Sequence, residues 1–409
     1  LNMYFSKKYK TISVFYILLI LFLTVYYLMA LNIVITNNAI AEWLINYQGG
    51  FVRRGLLGEL IYQISLFFKL NLRFSFLILQ IILYLTYYYL IYKVLQNIKF
   101  NYLILITIFS PLFILFPIAE LEALGRKEVI LFIILICSTN MFFNNKNNDT
   151  ALFFISILFP ILLLIFETSL FYSFFFFSII LISFKEFNKK IFIKLFFYSI
   201  PTLIVIFLLI FNPHTIRDTE IMCDALKKIG ENCGMPTFFL SKNIGYHIQE
   251  VNWKIEHILR YLIIFILGFV PFLILVKNSH FNEIKVNKSL KKISLINFIL
   301  TPTLISFVML FIAVDSGRWI HISYTCSIII YFVMLKNEII IINENNSLIK
   351  YLNKDIKKIV KILIFLILCM SWNPKAVYHE DLGSFPLYRA IEKSSNYYVN
   401  ILKIDILRN

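Results

Sequence analysis

Residues 151–184 read ALFFISILFPILLLIFETSLFYSFFFFSIILISF, a stretch in which Glu167 is the single charged side chain. It is longer than one helical crossing of a hydrocarbon layer about 30 Å thick, which takes about 20 residues. It therefore reads as two short spans, Ala151 to Phe166 and Leu170 to Phe184, folded back at Glu167. Unpaired backbone groups are too costly in lipid and nothing here alternates like a barrel strand, so the spans are helical. Glu167 then has two readings: a functional carboxylate at membrane depth, or the polar tip of a tight hairpin.

Nine further apolar runs flank this one, at Thr11 to Ile35, Phe74 to Leu95, Tyr102 to Ala119, Val129 to Phe143, Ile191 to Phe211, Ile258 to Val276, Ile293 to Val314, Ile320 to Leu335 and Ile359 to Trp372. The sequence thus predicts an all-α polytopic membrane protein of about 11 transmembrane helices, one transmembrane domain over residues 1–409. Several runs hold only about 14 to 16 residues, short for a full crossing, so their polar ends are expected to dip into the protein. Composition agrees: the 409 residues are 60% hydrophobic and 15% charged, against about 25% charged in a soluble domain. Ala39-Ile40-Ala41 resembles a cleavage site after the first run. That run is longer than the about 7 to 15 apolar residues of a signal peptide, so it reads as a retained anchor.

The net charge of +16 would point to nucleic acid in a soluble protein. In a membrane protein it reports topology, because Lys collects in cytoplasmic loops. With the N-terminus inside, Lys99, Lys146, Lys185, Lys189, Lys190, Lys277, Lys285, Lys336, Lys350 and Lys357 all fall on the cytoplasmic side. The opposite side then receives Tyr47 to Gly58, Glu120 to Glu128, Glu167 to Ser169, a loop over residues 212–257, Asp315 to Trp319 and a tail over residues 373–409. Cys223 and Cys233 share that long loop, where an oxidising space would join them, the alternative being two free thiols. Amphipathic helices are expected around Cys223 to Ile229 and Leu387 to Ile401.

Nine of the 39 basic residues are Arg, which makes each one conspicuous. Trp43 to Glu59, WLINYQGGFVRRGLLGE, sets Arg53 and Arg54 among four glycines. Arg presents planar paired donors to phosphate oxygens, so the segment suits a diphosphate; otherwise it is a basic interfacial turn with Trp43 and Tyr47 as belt aromatics. Arg126 and Lys127 follow in Glu120 to Glu128, with Glu120, Glu122 and Glu128 as available partners, either as a site or as a salt-bridged turn. Asp315-Ser-Gly-Arg-Trp-Ile-His321 supplies a carboxylate, a guanidinium and an imidazole. Asp315 can orient Arg318 or take a proton, or else cap the next helix through that arginine; His321 lies one turn on. The isolated His214, His247, His257, His280 and His379 read as surface residues. No zinc-ligand spacing and no Walker or Rossmann glycine loop appears, so neither metal nor cofactor is expected.

These segments together resemble the bacterial polysaccharide polymerases of the Wzy type. The resemblance rests on Tyr47 to Glu59, Gly125 to Glu128, Glu167, and Asp315 to Trp319. It implies a GT-C-like fold acting at the outer face of the inner (cytoplasmic) membrane on undecaprenyl-diphosphate-linked oligosaccharides of O-antigen or capsule, with a chain-length regulator as a possible membrane partner. The first outer loop lacks Asp-x-Asp, which implies transfer without a metal. Arg53, Arg54, Arg126, Lys127 and Arg318 would neutralise the leaving diphosphate. Glu167, first choice because partial burial raises a carboxyl pKa, or Asp315 or His321 would be the base. Trp43, Tyr47 and Trp319 would stack on sugars. A lipid-linked sugar flippase also places Arg and Glu in a cavity; against it stand the missing internal repeat and charges gathered at one side.

Overall fold

The computed structural model describes residues 2–34, 38–144, 148–184, 189–251, 255–285, 293–343, 346, 350–352 and 356–376. Its helices are α1 (Asn2–Ile33), α2 (Asn38–Trp43), α3 (Gly55–Phe68), α4 (Leu72–Leu95), α5 (Tyr102–Phe109), α6 (Phe116–Ala119), α7 (Glu128–Asn144), α8 (Asn148–Ile165), α9 (Ser173–Ser183), α10 (Lys189–Phe211), α11 (Ile216–Lys228), α12 (Met235–Phe238), α13 (Ile244–Glu250), α14 (Ile255–Lys277), α15 (Leu295–Ser306), α16 (Ser316–Lys336) and α17 (Lys358–Met370). Among the described residues strands are confined to β1 (Ser279–Phe281) and β2 (Ile340–Ile342), antiparallel with His280 opposite Ile341. Among the described residues, six helices are long and apolar enough to cross a membrane, lying in α1, α4, α8, α10, α14 and α16.

The other five runs form shorter or broken helices. The run from Tyr102 to Ala119 stops at Ser110, whose extended ψ of 133° is what a following proline imposes, and restarts only as the four residues of α6. The run after Ile293 turns from α15 into a tighter helix over Phe307–Phe311, and α17 holds only 13 residues. Helix α3 is one the apolar-run reading did not mark. It buries Gly55, Gly58, Tyr62 and Ser65 and exposes Leu60, Ile64, Phe67 and Phe68, a helical period with two faces. Both of its ends lie at one end of the bundle. A Cβ on Gly58 would sit 1.8 Å from the Ile45 carbonyl, and just after α3, Arg73 donates to the Val34 carbonyl at the end of α1 (2.9 Å). Helix α3 thus lies across that end instead of crossing the bundle.

Helix α16 is the axis, with every residue from Ser316 to Met334 buried, whereas α10 buries only Val205. Hydroxyl pairs Ser306–Ser323 and Thr303–Ser327, each 2.7 Å, join α15 to α16, as small polar residues do between membrane helices. At one end of the bundle Lys336 donates to Asn140 (3.3 Å) and β1 clips to β2. The other end gathers the acidic and basic turns. There residues 372–376 fold back on α16: Gly317 N–H donates to the Ala376 carbonyl (3.1 Å), and a Cβ on Gly317 would meet the Lys375 carbonyl at 1.7 Å. The segment over 212–251 caps this end. Cys223 and Cys233 are joined, Cα to Cα 5.5 Å, and α11 carries a capping box of Thr215 and Asp218, so the amphipathic helix expected around Cys223 exists. The one expected at Leu387 to Ile401 lies outside the described residues.

Candidate functional site

Four segments far apart in sequence meet at the end opposite the Lys336 clip, and each delivers charge. Arg54 caps α3 in a left-handed conformation, φ 67°, a strained choice for a side chain that surrounding contacts must hold. Its carbonyl accepts from the Lys127 ammonium (2.7 Å). Its Nε donates to both oxygens of Glu167, at 2.8 and 2.7 Å, and its Nη1 lies 3.6 Å from Glu42. Arg126 donates to Glu42 from the other side (2.8 Å). Arg318 forks onto Glu128 at 2.9 and 2.8 Å, lies 3.9 Å from Glu42, and reaches Asp315 at 3.3 Å. Arg53 donates to the Phe239 carbonyl (2.9 Å) with its Nε 4.0 Å from Glu167.

Glu42 is the hub, and the sequence reading missed it. It is wholly buried; desolvation would push its carboxyl up, but Arg318, Arg126 and Arg54 outweigh burial and hold it far below the ordinary range. One signal was present: Glu42 is the first acidic residue in the chain. Lys127 sits inside the same knot, fully buried, and burial above all pulls its ammonium down to about 8. Glu167 behaves contrary to expectation. Burial alone would raise its pKa, but Arg54 and then Arg53 lower it below the usual value, so it rests as an ionised partner of Arg54.

The structure divides the expected site residues. Arg53, Arg54, Arg126, Lys127, Glu167, Asp315 and Arg318 come together. His321 stands apart, stacked on Phe116 with centroids 4.3 Å apart and donating from Nδ1 to the Leu112 carbonyl (2.8 Å). That carbonyl belongs to the break between α5 and α6, so His321 satisfies backbone that the missing helix turn leaves open. Trp43 is fully buried. Its Nε1 donates to the Gly125 carbonyl, and its ring lies 5.8 Å from the Lys127 ammonium. Trp319 is buried too, its ring 5.1 Å from the Arg318 guanidinium. Tyr47 stacks against Phe51 and donates its backbone N–H to Glu59 (2.8 Å). Trp43 and Trp319 offer no open face to a sugar in this arrangement, and Tyr47 is half-buried.

Exposure grades the cluster. The side chains of Arg318 and Glu128 are each 4% exposed, and those of Arg54 and Glu167 are 24% and 18%. Beneath Glu128 a cavity of about 10 Å³, lined by Tyr84, Tyr87, Phe132 and His321, has room for about one water. Among the described residues no group of three or more His, Cys, Asp or Glu is placed to hold a metal ion. No family model, no curated protein and no solved structure matches this chain.

Proposed function

We propose that this protein is a membrane glycosyltransferase with a GT-C-like fold that extends undecaprenyl-diphosphate-linked oligosaccharides at the outer face of the bacterial inner membrane, as Wzy-type polymerases do. The observation that carries the reading is the partly exposed edge of the cluster, where Arg53 and Arg54 flank Glu167. There a diphosphate exchanges places with a carboxylate. The planar guanidinium fork pairs well with phosphate oxygens, and a diphosphate carries two negative charges against one on Glu167, so an arriving diphosphate draws Arg54 and Arg53 from Glu167. The freed carboxylate loses the charges that lowered its pKa and becomes a better base.

Glu167 then takes the proton from the acceptor sugar hydroxyl as that oxygen bonds to the anomeric carbon of the donor. The bond from that carbon to the diphosphate oxygen breaks, and Arg53 and Arg54 neutralise the departing undecaprenyl diphosphate. Asp315, half-buried and paired with Arg318, is the next candidate for the base. Arg126, Lys127, Glu42, Glu128 and Arg318 act as the frame. The outward orientation draws support from the lysine-rich opposite end and from a disulfide at this end. A cysteine at Glu122 or Glu250, both exposed at this end, should react with an impermeant thiol reagent from outside; reaction only from inside would invert the topology.

The decisive test is Glu167→Gln, which keeps the size and much of the hydrogen bonding while removing the base. Loss of general base catalysis costs about 10² to 10⁴-fold. On a polysaccharide gel the ladder should collapse to lipid A core bearing a single repeat, with flipping and ligation intact. Core with no repeat would instead mark a flippase, and an unchanged ladder would leave Glu167 a hairpin residue.

A further inference from the structure

Trp43 and Trp319, two of the three rings expected to stack on sugars, are buried, so a saccharide extending from the Arg53 and Arg54 edge needs a further surface. The disulfide-closed cap provides it. Arg53 donates to the carbonyls of Phe239 (2.9 Å) and Lys242 (3.4 Å), which fixes that turn of the cap directly over the cluster. Around the turn the rings of Phe238 and Phe239 lie 5.7 Å apart, Phe239 and Tyr246 6.4 Å, and Phe239 and His247 5.8 Å. The Lys242 ammonium sits 4.5 Å from the Phe238 ring and 5.2 Å from the Tyr246 ring. Phe238 is 48% exposed, and Phe239, Tyr246 and His247 are half-buried.

We infer that Phe238, Phe239, Lys242, Tyr246 and His247 form a saccharide-binding subsite that holds a pyranose ring of the lipid-linked repeat unit beside the diphosphate edge. The inference rests on the glycosyltransferase reading and deepens it. Sugar faces carry C–H groups that pack on aromatic rings, while their hydroxyls need donors and acceptors at the ring edges. This patch interleaves both, with an ammonium, a phenol and an imidazole set between phenyl rings. His247 suits the part: burial first, then Arg53 and Arg54, lower its pKa, so it meets hydroxyls as a neutral ring that both donates and accepts.

The test uses the full-length protein in nanodiscs and the soluble oligosaccharide released by mild acid from the producing cell's lipid-linked repeat, observed by saturation-transfer NMR. Wild-type protein should transfer saturation to sugar ring protons. The double variant Phe239→Leu/Tyr246→Leu should weaken binding about tenfold, while Phe239→Tyr/Tyr246→Phe should retain it. Phe239→Leu leaves the carbonyl that Arg53 uses. Absence of transfer with wild-type protein, or Leu variants that bind as well as aromatic ones, overturns the subsite; equal performance by Leu is the signature of a membrane-surface anchor. An unchanged ladder for Glu167→Gln alongside intact transfer would overturn the catalytic reading alone.

Discussion

Arg318 with Glu128 and Arg54 with Glu167 are both arginine–carboxylate pairs at the same end of the bundle, and their surroundings differ. Arg318 sits in the first turn of the most buried of the six long helices and forks Nε and Nη2 onto separate oxygens. Arg54 sits on a strained loop residue and reaches both oxygens of Glu167 through Nε alone, with part of its side chain in solvent. The first geometry uses the guanidinium fully, in a place where either partner alone would be a buried charge. The second leaves an edge of the guanidinium for something else. One pair is closed from solvent, and the other is open to it, which is the property that the proposed exchange of partners needs.

Breaking the closed pair should have the largest effect. Glu128→Ala removes the forked partner of Arg318 and leaves it only Asp315 at 3.3 Å and Glu42 at 3.9 Å, so it should cost about 3 kcal/mol of stability, the low end for a broken buried pair, read as a lower midpoint of thermal unfolding in detergent. The double variant Glu128→Leu/Arg318→Met should regain most of that loss, since apolar replacements of a buried pair are often neutral. If the double variant is as unstable as the single one, the pair does more than satisfy itself. At the open pair the same logic predicts little change in stability but a functional loss. Arg53→Lys and Arg54→Lys keep the charge and discard the paired planar donors, so polymer yield should fall about 10-fold or more with the protein still inserted. Wild-type polymer from both replacements together would erase the distinction between the pairs.

The smallest expected effect concerns Lys127, which ties the two pairs together through the Arg54 carbonyl. Its pKa is lowered in the folded state, to about 8. Between that value and its ordinary one the unfolded chain binds the extra proton, so stability from this group rises as pH climbs above about 8. It is absent below that range. The unfolding midpoint of wild-type protein should therefore gain on Lys127→Met as pH is raised from 8 to 10. A constant difference between the two would mean that Lys127 keeps its proton throughout.

The same contrast explains what was legible in sequence. Arg53, Arg54 and Glu167 stood out because charge in a nearly charge-free sequence needs a reason. Their pairing with one another did not, since 113 positions separate Arg54 from Glu167. Glu128 looked like a partner for its neighbours Arg126 and Lys127, yet it serves Arg318; Arg126 turns to Glu42. His321 sat at helical spacing from Arg318, but nothing local announced that a broken helix would present it with the Leu112 carbonyl. Helix α3 escaped notice because it follows a polar loop and is too short to count as a crossing. The long apolar helices were readable because hydropathy is a local property; loop placement brought Cys223 and Cys233 together but left open whether they bond, which the structure shows they do.

The Arg318 to Glu128 bond spans 190 positions, which has a consequence for biosynthesis. At about 5–20 residues per second, Glu128 emerges on the order of 10 to 40 s before the arginine that neutralises it. During that interval the amino-terminal helices stand in the bilayer with Glu42 and Glu128 still short of a cation. The nascent bundle must therefore remain hydrated or guarded at that end, and the arrival of α16 closes it.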